Sequence, residues 1–254
     1  MYIYCWYFFI FAFLGWCAEV TYAAVRQRRF VNRGFLNGPV CPIYGFGIVI
    51  VAFLLQPMRE TFVLLFVCSV VLTSALEWLT GFLLEKIFHS KWWDYSDKPL
   101  NIGGYICLQF SLLWGAACLI IVKWILPLTQ RLVDWIPFGL SVALLIFFTV
   151  LLLSDCVATV FTVRGINRQL RGLSLLAEKL KSDSDKIGRA VSKNGIWLAE
   201  KQADMRLQYE KLLQKHNAFT RRILKAFPNL HSMKYNEQLR LLQNKIREYR
   251  RKKR

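Results

Sequence analysis

The chain has 254 residues, is 55% hydrophobic, and carries 34 Lys and Arg against 16 Asp and Glu. Such greasiness and such net charge exclude an ordinary soluble domain with the two mixed evenly along the chain. They separate instead: residues 1–163 hold 10 basic and 8 acidic side chains, and residues 164–254 hold 24 and 8, net charges of +2 and +16. The composition predicts a membrane domain over 1–163 and a basic polar tail over 164–254. Cys5, Cys17, Cys41, Cys68, Cys107, Cys118 and Cys156 fall mostly in apolar runs and form no CxxC pair. They read as small buried hydrophobes, without a disulfide framework or zinc spacing.

"MYIYCWYFFIFAFLGW" opens the chain without a basic n-region or a small-residue cleavage site, so it reads as a retained first span over 2–24. Glu19 lies within it, on a stripe with Gly15 and Tyr22. The loop that follows carries Arg26, Arg28, Arg29 and Arg33. It runs on into "NRGFLNGPVCPIYGFG" (32–47), which is too rich in Gly and Pro to continue as one helix. Its freed amides suit either a tight turn or a broken helix start that receives a ligand group. The second apolar segment, 40–57, is the weakest, because its clean run begins only at Ile48. It suits a full span, favoured by the charge distribution, or a broken element buried in protein.

The third span, 62–84, places Thr73, Glu77, Gly81 and Glu85 at every fourth residue, a polar small-residue stripe. "HSKWWDYSDKPLNIGG" then offers His89, Asp94, Tyr95, Ser96 and Asn101 as hydrogen-bonding groups beside Trp92 and Trp93. The fourth span, 104–126, brings in Gln109 and Ser111, and the fifth, 138–163, carries Asp155 on a stripe with Thr159 and Thr162.

Basic residues concentrate in the 26–33 and 86–98 loops and the tail, whereas the opposite loops hold only Arg59, Lys123 and Arg131. The positive-inside rule then puts the N-terminus outside and the tail in the cytoplasm. Glu19, Glu77 and Asp155 each stand seven to nine residues before the next charged residue toward the cytoplasmic end. That is a common depth of about 10–14 Å. Intramembrane acids are costly and face protein or a water-filled cavity. The three either pin helices together, paired with Arg33 or backbone amides, or line a polar chamber open to the cytoplasm. The 89–104 segment caps or gates that chamber. No His lies within the spans and no metal or cofactor is expected.

In the tail, Ile166, Leu170, Leu173, Ala177 and Leu180 alternate at 4,3 spacing, a coiled-coil-like seam. "SDSD" (182–185) is expected to interrupt the helix and cap the next one. That next helix is expected to run from Ile187 through Val191, Leu198, Met205, Tyr209, Leu212 and Phe219 to Ile223, with Pro228 ending it. Leu239, Leu242, Ile246 and Tyr249 mark a last short helix before the terminal basic run. The expected fold is thus all-α: a polytopic bundle of about five membrane helices with a cytoplasmic helical tail. The tail's partners are anionic lipid or a second copy of the chain. Nucleic acid is disfavoured because no binding motif underlies the charge.

"FLGWCAEVTY", "NRGFLNGPVCPIYGFG", "EWLTGFLLEKIFHSKWWDYSDKPLNIGGYICLQFSLLWG" and "SDCVAT" together resemble the ABC-transporter type IV permease (CmpB-type) family of bacterial membrane proteins, over about residues 10–165. The resemblance implies a multi-pass protein of the bacterial cytoplasmic membrane. It also implies that the working or structural heart lies among the matching positions. Those are Glu19, Asn32, Arg33, Gly34, Gly38, Pro39, Pro42, Tyr44, Gly45, Glu77, Trp93, Asp94, Tyr95, Ser96, Asn101 and Asp155. The chain departs at Tyr105, where the family pattern commonly has an Arg; Arg33 is the alternative basic partner for the acids.

The expected function is permease-like transport, with Glu19, Arg33, Glu77, Asp94, Tyr95, Asn101, Gln109 and Asp155 as candidates for binding a solute or ion. Asn32, Gly34, Gly38, Pro39, Pro42, Tyr44, Gly45, Trp93 and Ser96 are expected to shape the loops. No GxxxxGK[ST] occurs, so ATP-driven transport requires a separate ATPase subunit. Two alternatives stay open: an intramembrane enzyme acting on a lipid or isoprenoid, its catalytic residues unassigned, and a scaffold whose tail recruits partners.

Overall fold

The computed structural model describes residues 2–28, 30–187 and 195–251. These form nine α-helices: α1 (Tyr2–Gln27), α2 (Pro42–Leu55), α3 (Phe62–Phe88), α4 (Leu108–Ile120), α5 (Leu126–Asp134), α6 (Phe138–Ile187), α7 (Gly195–Gln214), α8 (Ala218–Ala226) and α9 (Asn236–Arg251). Strands among the described residues are two residues long, so the fold is all-α. The chain divides into two compact units, Met1–Ile87 with Lys91–Thr159, and Phe88–Ser90 with Val160–Arg254.

Four helical stretches are long and apolar enough to cross a membrane: Tyr2–Val25, Phe62–Phe88, Leu108–Asp134 and Phe138–Ser182. Large apolar side chains such as Val67, Val71, Ile146 and Phe147 stay exposed on them, as contact with lipid demands. The second expected span, 40–57, is shorter than a full crossing. α2 has 14 residues, continued by a 3-10 turn at Gln56–Met58. Its α-helical part rises about 21 Å, against about 30 Å of hydrocarbon.

Non-helical backbone leads into α2. The Cys41 amide donates to the Ala12 carbonyl at 2.9 Å, so α2 begins level with the middle of α1. Ahead of it the chain passes Trp16, whose indole donates to Asn32 Oδ1 at 2.8 Å, and Glu19, which meets Arg33. Residues 32–41 therefore run as a strap along the second half of α1. α1 and α2 then pack antiparallel, their approach permitted by Gly15 against the Tyr44 ring and Gly45 against Phe8. Tyr7, Phe11, Val51, Leu55, Leu65 and Val122 join the buried core they share with α3 and the end of α4.

The fourth expected span, 104–126, is overrun: helix continues to Asp134 through Pro127. Proline has no N–H for the carbonyl four residues back, that of Lys123. The backbone accommodates this with a π turn at Ile121–Ile125, a common relief for an interrupted helix. Arg59 Nη2 donates to the freed Lys123 carbonyl at 3.3 Å.

In the second unit, Ile166, Leu170 and Leu173 of the predicted seam are buried with Ile223, Leu239, Leu242 and Ile246. Two tail expectations are corrected. α6 runs unbroken through "SDSD" to Ile187, because four residues of modest helix propensity do not outweigh a helix already nucleated upstream. The following helix breaks before α8, where Asn217 accepts from the Thr220 amide at 2.7 Å as an N-cap. Val191 and the terminal Lys252, Lys253 and Arg254 lie outside the described residues.

A Cβ added at Gly45 would lie 2.6 Å from the Phe8 carbonyl, whereas one at Gly47 would meet nothing within 4 Å. Gly45→Ala should therefore cost about 1–3 kcal/mol through overpacking of α1 on α2. Gly47→Ala should leave the melting temperature in detergent unchanged or slightly raised, and parallel melts of the two variants check this.

Candidate functional site

The strap lies at membrane depth, where an unpaired amide or carbonyl costs several kcal/mol. Several of its polar groups find partners within the first unit, while Asn37 Oδ1 is buried without one among the described residues. Asn32 accepts from Trp16 and from the Gly34 amide, and its Nδ2 donates to the Asn37 carbonyl at 2.8 Å. The Asn37 amide and Asn37 Nδ2 both donate to Asp155 Oδ1, at 3.0 and 2.8 Å. The Gly38 amide donates to Asp155 Oδ2 at 2.6 Å, and Asn37 Nδ2 also reaches Thr159 Oγ1 at 3.0 Å. Both oxygens of Asp155 are thus occupied by the strap. Gly38 has to be small here, since a Cβ would stand 3.1 Å from Asp155 Oδ2.

Glu19 and Glu77 are differently placed. Tyr44, from the first turn of α2, donates to Glu19 Oε1 at 2.8 Å, and Arg33 Nε lies 3.4 Å from Glu19 Oε2. The Arg33 guanidinium also sits 5.4 Å above the Tyr22 ring. Tyr95 reaches down from the 89–107 loop and donates to Glu77 Oε1 at 3.2 Å. Glu77 Oε2 is buried and accepts no hydrogen bond among the described residues. The Tyr95 phenol is held well above its ordinary pKa, first by burial, then by the charges of Glu77 and of Glu19. Both carboxylates thus act on the Tyr95 phenol, Glu77 more than Glu19. Further rings meet these tyrosines: Tyr44 packs edge-on to Trp114 at 5.5 Å, and Tyr95 stacks on Phe110 at 4.8 Å.

The loop that delivers Tyr95 is built from its own side chains. Asp94 Oδ1 accepts from the Ser96 amide and hydroxyl, and Asn101 bridges the Ser96 and Lys98 carbonyls and the Gly104 amide. Short strands Asn101–Ile102 and Ile106–Cys107 pair antiparallel across Gly103 and Gly104, which adopt φ of +63° and +75°. Trp93 Nε1 donates to the Tyr105 carbonyl at 2.9 Å, and Tyr105 donates to Glu85 at 2.7 Å. Burial, then the bond to Glu85, pushes the Tyr105 phenol up to about 12. Gly81 lets both rings lie on α3, for a Cβ would stand 2.8 Å from Tyr105 and 3.1 Å from Trp93.

Of the eight predicted binding residues, Glu19 pairs with Arg33 and Glu77 with Tyr95. Asp155 is taken up by the strap, Asp94 and Asn101 knit the delivering loop, and Gln109 is exposed in the first turn of α4. Tyr44, expected to be structural, is a direct partner of Glu19. Asn37 escaped sequence reasoning altogether, although "LNGP" is a turn signature that could have flagged it. Tyr105 does not meet the acid pair; the basic partner there is Arg33.

Asp155→Ala should remove an acceptor from four donors, the Asn37 and Gly38 amides, Asn37 Nδ2 and the Thr159 hydroxyl, and cost about 3 kcal/mol or more. Amide exchange over 34–41 should accelerate in that variant while exchange along α3 keeps its wild-type rates. At alkaline pH the native state keeps the Tyr95 proton and the unfolded chain loses it above about 10, so stability falls as pH rises through that window. Tyr95→Phe should flatten this alkaline slope in pH-resolved melts.

No solved structure matches the chain. A model of the protein family described as "Putative ABC-transporter type IV" matches residues 6–160, which include most of α1, α2–α5, the strap, both polar clusters and Asp155. The chain is therefore a multi-pass membrane protein that belongs to this ABC-transporter-type family.

Proposed function

We propose that the chain is the membrane component of a transporter whose site for a positively charged solute is built on Glu19 and Glu77. One observation carries this: Glu19 has Arg33 as its cation among the described residues, while Glu77 Oε2, on another helix, is buried without a partner among them. An acid so desolvated is stabilised by an opposite charge. Arg33 already illustrates the chemistry, with its guanidinium held by a carboxylate and a tyrosine face. The surrounding Tyr44, Trp114, Tyr95 and Phe110 rings suit an organic cation, which gains from aromatic faces what a hydrated metal ion does not. Asp155 serves the strap rather than the solute.

The basic loops support a site that faces the cytoplasm of a bacterial cell, with the tail on the same side. The chain lacks a phosphate-binding loop, so coupling to ATP falls to a separate ATPase subunit, in keeping with the family. Four span-length helices are few for one complete pathway, which supports a complex of two copies or more. The division of labour is a transporting part over 1–163 and a basic tail over 164–254.

The test is thermal stabilisation of the detergent-solubilised protein by choline, tetramethylammonium, spermidine, Na⁺ and K⁺, followed by uptake of the best ligand into sealed proteoliposomes. One of the organic cations should stabilise wild type. Glu77→Gln should bind it at least about tenfold more weakly, a loss of about 1.4 kcal/mol, with Gln109→Ala as an unaffected control. If no cation distinguishes wild type from Glu77→Gln, the acid pair is structural and the transport site lies elsewhere.

A further inference from the structure

The tail carries most of the net charge of the chain, and α9 shows how part of it is displayed. Leu239, Leu242, Gln243 and Ile246 turn inward and are at most 8% exposed. The opposite arc bears Arg240, Leu241, Asn244 and Arg247, all exposed. Arg240 and Arg247 are seven residues apart and so share one edge of the helix. Just ahead of α9, Met233 and Lys234 are exposed as well. Met233 is 53% and Leu241 41% exposed, and the exposed Lys234 and Arg240 adjoin them in the chain. Of the two acids on α9, Glu248 lies 3.9 Å from Lys245, which also approaches Glu210.

A purely solvated basic face gains nothing from exposed Leu and Met. A face that meets a bilayer surface uses both kinds of group, apolar side chains at the headgroup boundary and cations on the phosphates. We propose that the tail unit docks on the anionic headgroup layer of the bilayer that holds its own membrane helices, through Met233, Lys234, Arg240, Leu241 and Arg247. Charge complementarity names the partner: residues 164–254 carry a net charge of +16. The chain's own membrane helices keep that surface near phosphate groups at all times. Nucleic acid shares the phosphate chemistry, but neither the exposed Leu and Met nor any sequence motif fits it. The docking is independent of what the acid pair binds.

The experiment uses the full chain in nanodiscs of phosphatidylcholine alone or with phosphatidylglycerol, and reads acylation of the Lys234 amine by mass spectrometry. Phosphatidylglycerol should protect Lys234 at 0.05 M salt, and 0.5 M salt should remove the protection, because screening then acts within a few ångströms. The double variant Arg240→Gln/Arg247→Gln should lose about fivefold in protection per residue, about 25-fold together. Amide exchange in the α9 core reports whether that variant stays folded; where it does not, the salt series on wild type decides. Equal labelling of Lys234 in the two lipid compositions overturns the proposal. So does protection by a single-stranded RNA in phosphatidylcholine discs that matches the effect of phosphatidylglycerol.

Discussion

Backbone that leaves the helix inside a membrane must find every hydrogen bond elsewhere, and the first unit is arranged around meeting that demand for residues 32–41. A helix satisfies its own amides; a strap cannot. Asn32 takes up the first part of the strap and Asp155 the second, so that α2 can begin halfway along α1 with Pro42 in its first turn. The short second helix, the close packing of α1 on α2, and the position of Tyr44 over Glu19 all follow from where the strap ends. A carboxylate suits this work because it accepts several donors at once, and its charge strengthens each bond.

The same reasoning separates the three membrane acids. Asp155 has its acceptor capacity filled by main-chain and amide donors, an arrangement that rigidifies. Glu19 and Glu77 are held by side chains at the tips of longer levers, tyrosine hydroxyls and an arginine, and one oxygen is left over. Because Arg33 belongs to the strap and Tyr95 to the loop after α3, the two non-helical segments of the first unit converge on the pair from two sides. The rigid acid thereby fixes the segment that supplies the cation to the responsive one.

Much of this was legible before any coordinates. Counting residues back from the next charge singled out Glu19, Glu77 and Asp155, each of which pairs with a residue of a loop. Periodicity and apolar length identified α1, α3 and the membrane part of α6, since these depend on local pattern alone. What stayed hidden depends on partners distant in sequence. Nothing near Asp155 reveals that Asn37 and Gly38 will claim it, and nothing near Leu126 reveals that Arg59 will serve the carbonyl exposed by Pro127. "SDSD" misled for the opposite reason: it is a sound local capping signal, overridden by the long helix that enters it. Tyr44 was assigned to loop shape because its sequence neighbours are Pro and Gly; its acid partner lies 25 residues earlier.

The bond between the strap and α6 also sets an order of events in biogenesis. Asn37 and Asp155 are 118 residues apart. While α1 to α5 are being synthesised and inserted, the amides of Asn37 and Gly38 have no carboxylate to meet and cannot rest in hydrocarbon. Their pairing becomes available only once α6 has been synthesised. The last membrane helix thus completes one of the first, and a nascent chain that stops short of Asp155 displays a recognisable defect near its N-terminus.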